Sequence, residues 1–290
     1  MEKKVSEIYD RAGKEIEEKT KKFWEDFERK DKVMQKKLAS GKITQEAYEK
    51  WKRGQAFTGA HLKEMQKTVS AEMLNASKTA AAYVNGQLPE IYALNYNALA
   101  DITSGIKGYS FELVDANTVR NLATSDKTLL PYKQVNGKKV ERWATQKVNA
   151  EIMQGIIQGE SIPKIAKRLQ NVTEMDKASS IRNARTTVTS AENKGRLDSY
   201  IEAEADGIIL KKVWESSNQP GRTREAHMPY SFLKLEVDID EPFVNDYGEI
   251  MYPGDPSAEP ANVYNCRCTM HTRVIGFRRK DGSISYIGGR

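Results

Sequence analysis

The stretch Ser199–Trp214, SYIEAEADGIILKKVW, contains the point at which the pattern of residue types in this 290-residue chain changes. Before Gly207 a helical pattern without proline predicts a long helix from about Thr173 to Ala205, closing at Asp206-Gly207. After Gly207 six prolines separate short apolar pieces, which makes long helices improbable and strands the better prediction. A domain boundary near residue 207 follows. The predicted strands are Ile208–Trp214, Leu233–Ile239 and Thr269–Phe277.

The N-terminal part is predicted to consist of antiparallel helices. Apolar residues of the first forty positions recur at gaps of three and four, which gives a helix with an apolar stripe that needs a partner. Ser40-Gly41 is expected to end this helix, and Thr44 to cap a second one running to about Val84. Asn85-Gly86 then ends the second helix, and Pro89 begins a third at the position where proline costs least.

The middle of the chain is less regular. Tyr109–Val114 is predicted as a short strand, a helical pattern resumes at Val140, and Ser161 is expected to cap a short helix through Leu169. The fold class is therefore α+β, with a mostly helical N-terminal region of long antiparallel helices followed by a small, mixed, strand-rich C-terminal module. The predicted divisions are 1–137 for the helical arm and helical region, 138–207 for the helices leading into the module, and 208–290 for the module itself.

Composition excludes several classes of protein. No run approaches the roughly 18 apolar residues of a membrane helix, and the N-terminus MEKKVSEIYD lacks a secretory signal, so we expect cytoplasmic folding and no membrane partner. The net charge is +6, and its distribution is uneven. Residues 130–185 and 273–290 are basic, whereas 211–272 are acidic, which is compatible with surfaces for nucleic acid or an acidic protein and equally with ordinary solvated helix faces.

The two cysteines occur in Asn265-Cys266-Arg267-Cys268 and are expected to be reduced. With His227 and His271 they make a candidate zinc set, because thiolate and imidazole are preferred zinc ligands. The alternative, which we favour from the sequence, is a buried apolar cysteine pair without metal or other cofactor. The order of His227 and its neighbours does not fit a zinc deaminase, and the chain has no Walker loop or GxGxxG. We therefore expect no catalytic residues and no enzyme.

One set of motifs resembles a known family. It runs from Ala184-Arg185-Thr186 through Lys212-Val213-Trp214, Arg222-Thr223-Arg224-Glu225-Ala226-His227, Gly248-Glu249 and Pro253-Gly254-Asp255 to Asn265-Cys266-Arg267-Cys268. Their order and spacing over roughly residues 140–275 resemble the C-terminal module of phage minor head proteins, the Mu F-like head-morphogenesis family.

This resemblance implies a minor capsid component that associates with the portal vertex and takes part in head assembly and in DNA packaging or delivery. It implies portal, capsid or scaffold proteins as partners, and a location in the virion, inside the capsid near the portal, after assembly in the host cytoplasm. Basic segments suit contact with double-stranded DNA without sequence preference. The alternatives are a zinc-dependent or nucleic-acid-modifying enzyme of the toxin kind, and a generic DNA-binding module.

Within the module we expect Arg185 to anchor the long helix to polar groups and Trp214 to lie in the core. Arg224 and His227 are expected to join a buried polar network with the turn that contains Asn265, Cys266, Arg267 and Cys268. In the first helix, the aromatic residues Phe23, Trp24 and Phe27 are the predicted partner-binding residues, because they give a helix a large surface to bury.

Overall fold

The computed structural model describes residues 1–58, 60–103, 162–279 and 281–287, together with residues 146, 147, 150, 151, 154, 155, 158 and 160. The chain divides into two compact units. The first unit takes its residues from 1–82 and 133–181, and the second from 83–132 and 182–290. The strand predicted at Tyr109–Val114 and the cap predicted at Ser161 lie outside the described residues.

Long helices make up the N-terminal part, as predicted. They are α1 (Glu2–Ala39), α2 (Gln45–Thr58), α3 (Ala60–Thr103) and α4 (Ile162–Ala205). A strand-rich region follows α4, so the α+β fold class is confirmed. In the described part of the chain, no helix is apolar over a sufficient length to span a bilayer.

The turn between α1 and α2 has the predicted chemistry. Gly41 takes a left-handed φ of 70°, a conformation that glycine adopts without steric cost. The Thr44 hydroxyl then accepts a hydrogen bond from the backbone N–H of Ala47 at 3.1 Å, which satisfies one of the free donors at the start of α2. The sequence therefore located both the end of the first helix and the cap of the second.

The first part of the α1 stripe is covered inside the first unit. Val5, Tyr9, Ala12 and Ile16 are buried, in the three-and-four spacing that the sequence shows. The Asp10 carboxylate, on the same helix, pairs with Lys177 Nζ at 2.6 Å. This part of the stripe consequently has its partner within the chain.

α3 corrects the prediction of a break at Asn85-Gly86 and a new helix at Pro89. The structure has a single helix with Pro89 inside it. An interior proline costs about 3 kcal/mol because it removes a hydrogen bond and crowds the preceding turn. The buried residues along this stretch keep a helical period on both sides of the proline, and their packing offsets that cost. They are Ala80, Ala81, Val84, Leu88, Tyr92, Ala93, Tyr96 and Leu99.

α4 corrects a second boundary. The sequence predicted a short helix ending at Leu169 and a long one beginning at Thr173, whereas the structure has one helix, Ile162–Ala205. The Thr173 hydroxyl donates to the carbonyl oxygen of Leu169 at 3.3 Å, so this threonine bonds within the helix instead of capping a new one. Leu169 and Val172 are both buried, which continues the apolar face through the predicted gap.

The second unit contains an antiparallel four-stranded sheet. In chain order its strands are β1 (Ile208–Glu215), β2 (Glu236–Asp238), β5 (Thr269–Arg278) and β6 (Ile284–Tyr286), arranged in the order β2-β1-β5-β6. Between them lie a two-stranded ribbon, β3 (Phe243–Asn245) with β4 (Gly248–Ile250), and the one-turn helix α5 (Pro260–Val263).

Two of the three predicted strands are confirmed, and the third is much shorter than predicted. β1 and β5 confirm two predicted strands, and their long pairing forms the centre of the sheet. The strand predicted at Leu233–Ile239 shrinks to the three residues of β2, because Leu233 instead donates its N–H to the carbonyl oxygen of Val244 at 3.2 Å. β3, β4 and β6 are too short to have given a periodic signal.

Two apolar clusters form the core of the second unit. In the first, residues of α3 and α4 cover one face of the sheet: Tyr92, Tyr96 and Leu99 from α3 and Leu197 and Tyr200 from α4 pack on Ile208, Leu210 and Met270. The second cluster surrounds Trp214 and includes Phe232, Phe243, Val263, Cys266 and Cys268. The cysteine segment therefore belongs to the core.

Candidate functional site

The site begins with a row of polar side chains on α4. Thr186, Thr189, Asn193 and Arg196 recur at gaps of three and four, which places them on one face of the helix. The segment from Asn265 to Met270 passes in front of this face, and most of it belongs to no helix or strand. Its backbone groups are buried and need partners, which the helix side chains supply.

Hydrogen bonds from several α4 side chains attach this segment to the helix. The Thr186 hydroxyl accepts from the N–H of Asn265 at 2.8 Å, and the Thr189 hydroxyl donates to the carbonyl oxygen of Cys266 at 3.0 Å. Asn193 accepts from the N–H of Met270 at 3.0 Å and donates to the carbonyl oxygen of Cys268 at 3.4 Å. The cysteines are thus held at fixed positions by the helix.

Asn265 makes the turn that brings the cysteines inward. Its φ is 60°, in the left-handed region that asparagine tolerates better than most side chains. The Asn265 carboxamide oxygen accepts a hydrogen bond from Arg185 Nη1. Arg185 therefore contacts the module through a residue with a left-handed backbone conformation.

His227 completes the centre of the site. It lies at the end of a single 3-10 turn, Glu225–His227, and is buried. Its Nδ1 is 3.5 Å from Cys266 Sγ and 3.5 Å from Cys268 Sγ. On the other side of the ring, Nε2 lies 3.1 Å from Asn262 Oδ1. The three ligand atoms, Nδ1 and the two sulfurs, all lie within 4.8 Å of one another.

Both cysteines are free thiols and compete for one negative charge. The hydrogen bond from Cys268 lowers the pKa of Cys266 well below its ordinary value, and His227 lowers it further, against the effect of burial. The same hydrogen bond raises the pKa of Cys268, as does burial, while the indole N–H of Trp214 acts in the opposite direction. The contact between the two thiols therefore shifts their pKa values in opposite directions.

His271, the fourth member of the predicted zinc set, is not part of this cluster. Along β5 the side chains alternate, so that Met270 and Thr272 are buried while His271 and Arg273 are exposed. His271 pairs instead with Glu215 across the strands, with 3.4 Å between Nδ1 and Oε2. The structure brings together His227, Cys266 and Cys268 and leaves His271 on the outer face of the sheet.

Aromatic rings enclose the site on the core side. Trp214 lies 5.3 Å from the His227 ring and 4.9 Å from Phe232, measured between centroids. Phe243 contacts the other side of the indole at 5.3 Å. Trp214 is therefore buried in the same apolar cluster as the two cysteines.

The opposite side of the cluster opens into a small cavity of about 240 Å³. Its wall includes all three ligand residues together with Arg222, Thr223, Arg224, Asn265 and Arg267. Arg224 donates to the carbonyl oxygen of Tyr264, which ties the segment before the 3-10 turn to the segment before the cysteines. Arg267, which also lines the cavity, is exposed.

The Pro253-Gly254-Asp255 motif forms a second contact with α4. Gly254 has a φ of 88°, and a Cβ at this position would lie 2.7 Å from the backbone nitrogen of Ser190. Asp255 is buried and accepts hydrogen bonds from the backbone N–H groups of Met251 and Ser257 at 3.1 and 2.9 Å. Gly254 allows the loop backbone to approach α4 closely, and Asp255 stabilises the loop conformation through its hydrogen bonds.

Several residues of the site were not foreseen from the sequence. Asn262 and Asn245 are buried, and the Asn245 Nδ2 donates to Asn262 Oδ1 at 2.9 Å, next to His227. Asn193 and Lys212 are also buried. The polar residues at three-and-four spacing along α4 were the one available signal for Asn193, because such a row within an otherwise apolar face indicates a buried polar contact.

The predicted partner-binding residues lie on α1. The side chains of Phe23 and Trp24 are outside the described part of the structure. Phe27 is half-buried and stacks on Trp51 of α2 with 6.2 Å between ring centroids. Trp51 in turn stacks on Tyr48 at 6.1 Å. Part of the apolar surface of Phe27 is therefore buried in the contact between α1 and α2.

This chain is similar to one known protein family and to a protein of a phage head. Residues 146–271, which include the whole cysteine site, match the family described as Phage Mu protein F like protein. The minor head protein GP7 of Bacillus phage SPP1 is 25% identical over 281 residues, covering 89% of this chain and 88% of that protein. No solved structure matches the chain.

Two further relatives match over shorter stretches. The NAD(+)–arginine ADP-ribosyltransferase EFV of Enterococcus faecalis is 31% identical over 139 residues, which are 47% of this chain and 28% of that protein. The uncharacterized protein YqbB of Bacillus subtilis is 25% identical over 128 residues, 43% of this chain and 41% of that protein. The chain thus spans well under half of each of these two relatives.

The family match begins on the helical approach to the module and ends in β5, and it contains the α4 row, the 3-10 turn and the cysteine segment. The resemblance inferred from the order and spacing of the sequence motifs is confirmed by this match of residues 146–271 to the family of phage Mu protein F like proteins.

Proposed function

We propose that this chain is a minor head protein that acts at the portal vertex of a phage capsid, in head assembly and in DNA packaging or delivery. Its partners are then the portal protein and capsid or scaffold proteins, and its location is the virion. The observation that carries the proposal is the collinear match to a phage minor head protein over 89% of this chain and 88% of that protein. Such a match includes the helical N-terminal region as well as the module.

We assign different roles to the two compact units. The second unit has a packed core and a site built from fixed hydrogen bonds, as a rigid module requires. The first unit contains α1 and α2, whose contact includes the stacked rings of Phe27, Trp51 and Tyr48. Aromatic residues at an accessible helix surface are frequent anchors of protein interfaces. We assign partner binding to this helical hairpin, including Phe23, Trp24 and Phe27.

The proposal assigns no enzymatic activity to the chain. The alignment with the Enterococcus faecalis transferase covers 28% of that protein, so the name of the whole relative does not carry its activity here. Incubation of the purified chain with NAD⁺ and an arginine-containing acceptor is expected to give no ADP-ribosyl transfer. Transfer above the background of a denatured sample would contradict the structural role.

Contact with DNA is the second part of the proposal. The described basic residues are partly neutralised within the chain. Arg168 pairs with Glu160 at 2.6 Å and Glu151 at 3.0 Å, and Lys177 with Asp10 at 2.6 Å. We therefore expect weak, sequence-independent binding to duplex DNA that is lost steeply as salt is raised, because counterion release supplies most of its free energy. Fluorescence anisotropy with two unrelated duplexes over a range of salt concentrations measures both properties.

Co-expression with the portal protein of the same phage tests the main proposal. The intact chain is expected to co-purify with the portal and to remain bound at moderate salt. Removing residues 1–40 also removes the buried residues Val5, Tyr9, Ala12 and Ile16, so point substitutions give a cleaner test. Phe27→Ala and the double change Phe23→Ala with Trp24→Ala are expected to reduce portal capture substantially.

Trp51→Ala is the matched control, because it removes the same stacking contact from the other helix. If Phe27→Ala weakens capture and Trp51→Ala does not, Phe27 contacts the partner directly. Equal losses would assign the effect to the hairpin as a unit. Failure of the intact chain to bind portal or capsid proteins, combined with tight binding of one DNA sequence at high salt, would contradict the minor head role.

A further inference from the structure

His227, Cys266 and Cys268 have the spacing of a metal centre. In tetrahedral zinc sites the Zn–S bond is about 2.3 Å and the Zn–N bond about 2.0–2.1 Å, which places a sulfur and a nitrogen ligand about 3.5 Å apart. Nδ1 of His227 lies 3.5 Å from each sulfur, and all three atoms lie within 4.8 Å of one another. A single ion at ordinary bond lengths therefore reaches all three atoms without a rearrangement of the backbone.

The histidine is oriented as metal-binding histidines are. Nε2 lies 3.1 Å from the Asn262 carboxamide oxygen, to which it donates when Nδ1 carries the lone pair. The same oxygen accepts from Asn245 Nδ2 at 2.9 Å, and both asparagines are buried. A hydrogen bond from the distal ring nitrogen to a fixed carbonyl oxygen selects the tautomer whose other nitrogen binds metal.

One of the two sulfur atoms also accepts a hydrogen bond that suits a thiolate ligand. The backbone N–H of Cys268 donates to Cys266 Sγ at 3.3 Å, an interaction that stabilises negative charge on sulfur.

Among the described residues, no fourth His, Cys, Asp or Glu joins the cluster. The three ligand residues instead share the wall of the cavity of about 240 Å³. Three protein ligands beside an open space are the arrangement that leaves one coordination position to water or a small anion. The cavity also contains the side chains of Arg222 and Arg224, which favour an anionic occupant.

We propose that His227, Cys266 and Cys268 bind one zinc ion through Nδ1 and two thiolate sulfurs, with the fourth coordination position open to the cavity beside Arg224. The ion joins the 3-10 turn at Glu225–His227 to the segment that α4 holds, and thereby stabilises the module. Two thiolates balance the charge of Zn²⁺, so the buried centre is neutral.

The test uses the full chain. After purification without chelator, elemental analysis is expected to find about one zinc per chain, and removal of zinc is expected to lower the melting temperature reversibly. Titration of the apoprotein with Co²⁺ alone is expected to saturate at one equivalent, with sulfur-to-cobalt charge-transfer absorption in the near ultraviolet. Added azide is expected to shift the visible cobalt bands, because it enters the open position.

Substitutions assign the ligands. Cys266→Ser, Cys268→Ser and His227→Gln are each expected to abolish the charge-transfer band or weaken Co²⁺ binding at least tenfold. Asn262→Leu is expected to weaken binding about 10- to 100-fold, as loss of the partner of a ligating histidine does. His271→Ala is the control, because this exposed residue lies on the outer face of β5, and it is expected to keep full stoichiometry.

Two results would overturn the proposal. The first is an intact, folded apoprotein that binds neither Zn²⁺ nor Co²⁺ at one equivalent, which decides the matter even if the variants fail to fold. The second is rapid alkylation of Cys266 by iodoacetamide in the presence of saturating zinc, which would indicate a free reactive thiolate beside His227. Cobalt bands that do not respond to azide would contradict the open fourth position.

Discussion

Lys212 has no exposed surface, which is rare for a lysine. It lies on β1 between the two apolar clusters, donates to the carbonyl oxygen of Met251 at 3.0 Å, and stands 5.4 Å from the ring centroid of Phe243. Burial lowers the pKa of Lys212 to about 8, although Asp240, Asp255 and Glu241 act in the opposite direction. A buried cation of this kind makes stability depend on pH.

The sign follows from the proton count. Below pH 8 the lysine is protonated in both the folded and the unfolded chain, and the cost of burying its charge is fully present. Between about pH 8 and 10.5 the unfolded chain retains a proton that the folded chain has lost, so stability rises with pH, by at most about 1.4 kcal/mol per unit. Lys212→Met is expected to remove this rise.

Urea titrations at about pH 7 and about pH 10 give the two free energies of unfolding that are needed. Lys211→Met is the control, since Lys211 is partly exposed, pairs with Asp238 at 2.8 Å and has its pKa raised by that hydrogen bond. It is expected to retain the rise above pH 8. Equal pH profiles for the original chain and Lys212→Met would show that the buried amine does not titrate in this range.

Gly254 gives a second prediction for a single residue. Its left-handed φ and its approach to the Ser190 backbone both exclude a side chain, so Gly254→Ala is expected to cost at least about 2 kcal/mol of stability. Gly221→Ala is the matched control, because Gly221 also has a positive φ, 72°, but meets nothing within 4 Å. It is expected to cost only about 1 kcal/mol. Equal losses in the two melting curves would assign no energy to the close approach.

Among the elements, α4 has the largest influence on the site. A helix that packs on a sheet usually presents apolar residues, yet this one directs threonines, an asparagine and an arginine at the segment from Asn265 to Met270. These side chains replace the hydrogen bonds that a neighbouring strand would otherwise supply. The helix therefore acts as a template for a segment most of whose residues lie outside helices and strands.

Asn193→Leu tests this role of α4. The change leaves the N–H of Met270 and the carbonyl oxygen of Cys268 without their partners, at an expected cost of about 2–4 kcal/mol. Hydrogen exchange at the Met270 amide is expected to accelerate more than global unfolding explains. Asn183→Leu, at a half-buried position earlier on the same helix, is the control and is expected to be nearly neutral. Unchanged protection of Met270 in Asn193→Leu would contradict the template role.

At the scale of the whole molecule, the boundaries of the units differ from the change in sequence texture. The sequence changes character at Gly207, but the strands pack on residues of two helices that are far apart in the sequence. Tyr92, Tyr96 and Leu99 of α3 and Leu197 and Tyr200 of α4 complete the cluster around Leu210 and Met270. The compact unit accordingly takes residues from 83–132 and 182–290.

A pair of fragments tests this division. The fragment 83–290 is expected to melt cooperatively, because it keeps both helical contributions to the core. The fragment 208–290 is expected to show no cooperative transition and weak amide dispersion in NMR spectra, because it loses those side chains and every hydrogen bond from α4. A cooperative transition in the shorter fragment would show that the strands form an independent core.

The periodicity of apolar residues was sufficient to locate the helices and strands that depend on residues close together in the sequence. The pattern of apolar residues predicted the long helices, β1 and β5, and local chemistry predicted the end of α1 and the cap at Thr44. The order of the motifs was sufficient to recognise the family whose model matches residues 146–271. Each of these features is encoded within a few turns of the chain or in the linear spacing of residue types.

Features that depend on distant contacts could not be predicted in this way. Pro89 remains inside α3 because the packing of Leu88 and Tyr92 outweighs a local penalty. His271 was grouped with the other three candidate zinc ligands by residue type, although the motif set does not include it, and the alternation of side chains along β5 places it on the exposed face. Asn262 and Asn193 became part of the site through contacts over 35 and 77 residues of chain, and only folding brings such groups within hydrogen-bond distance.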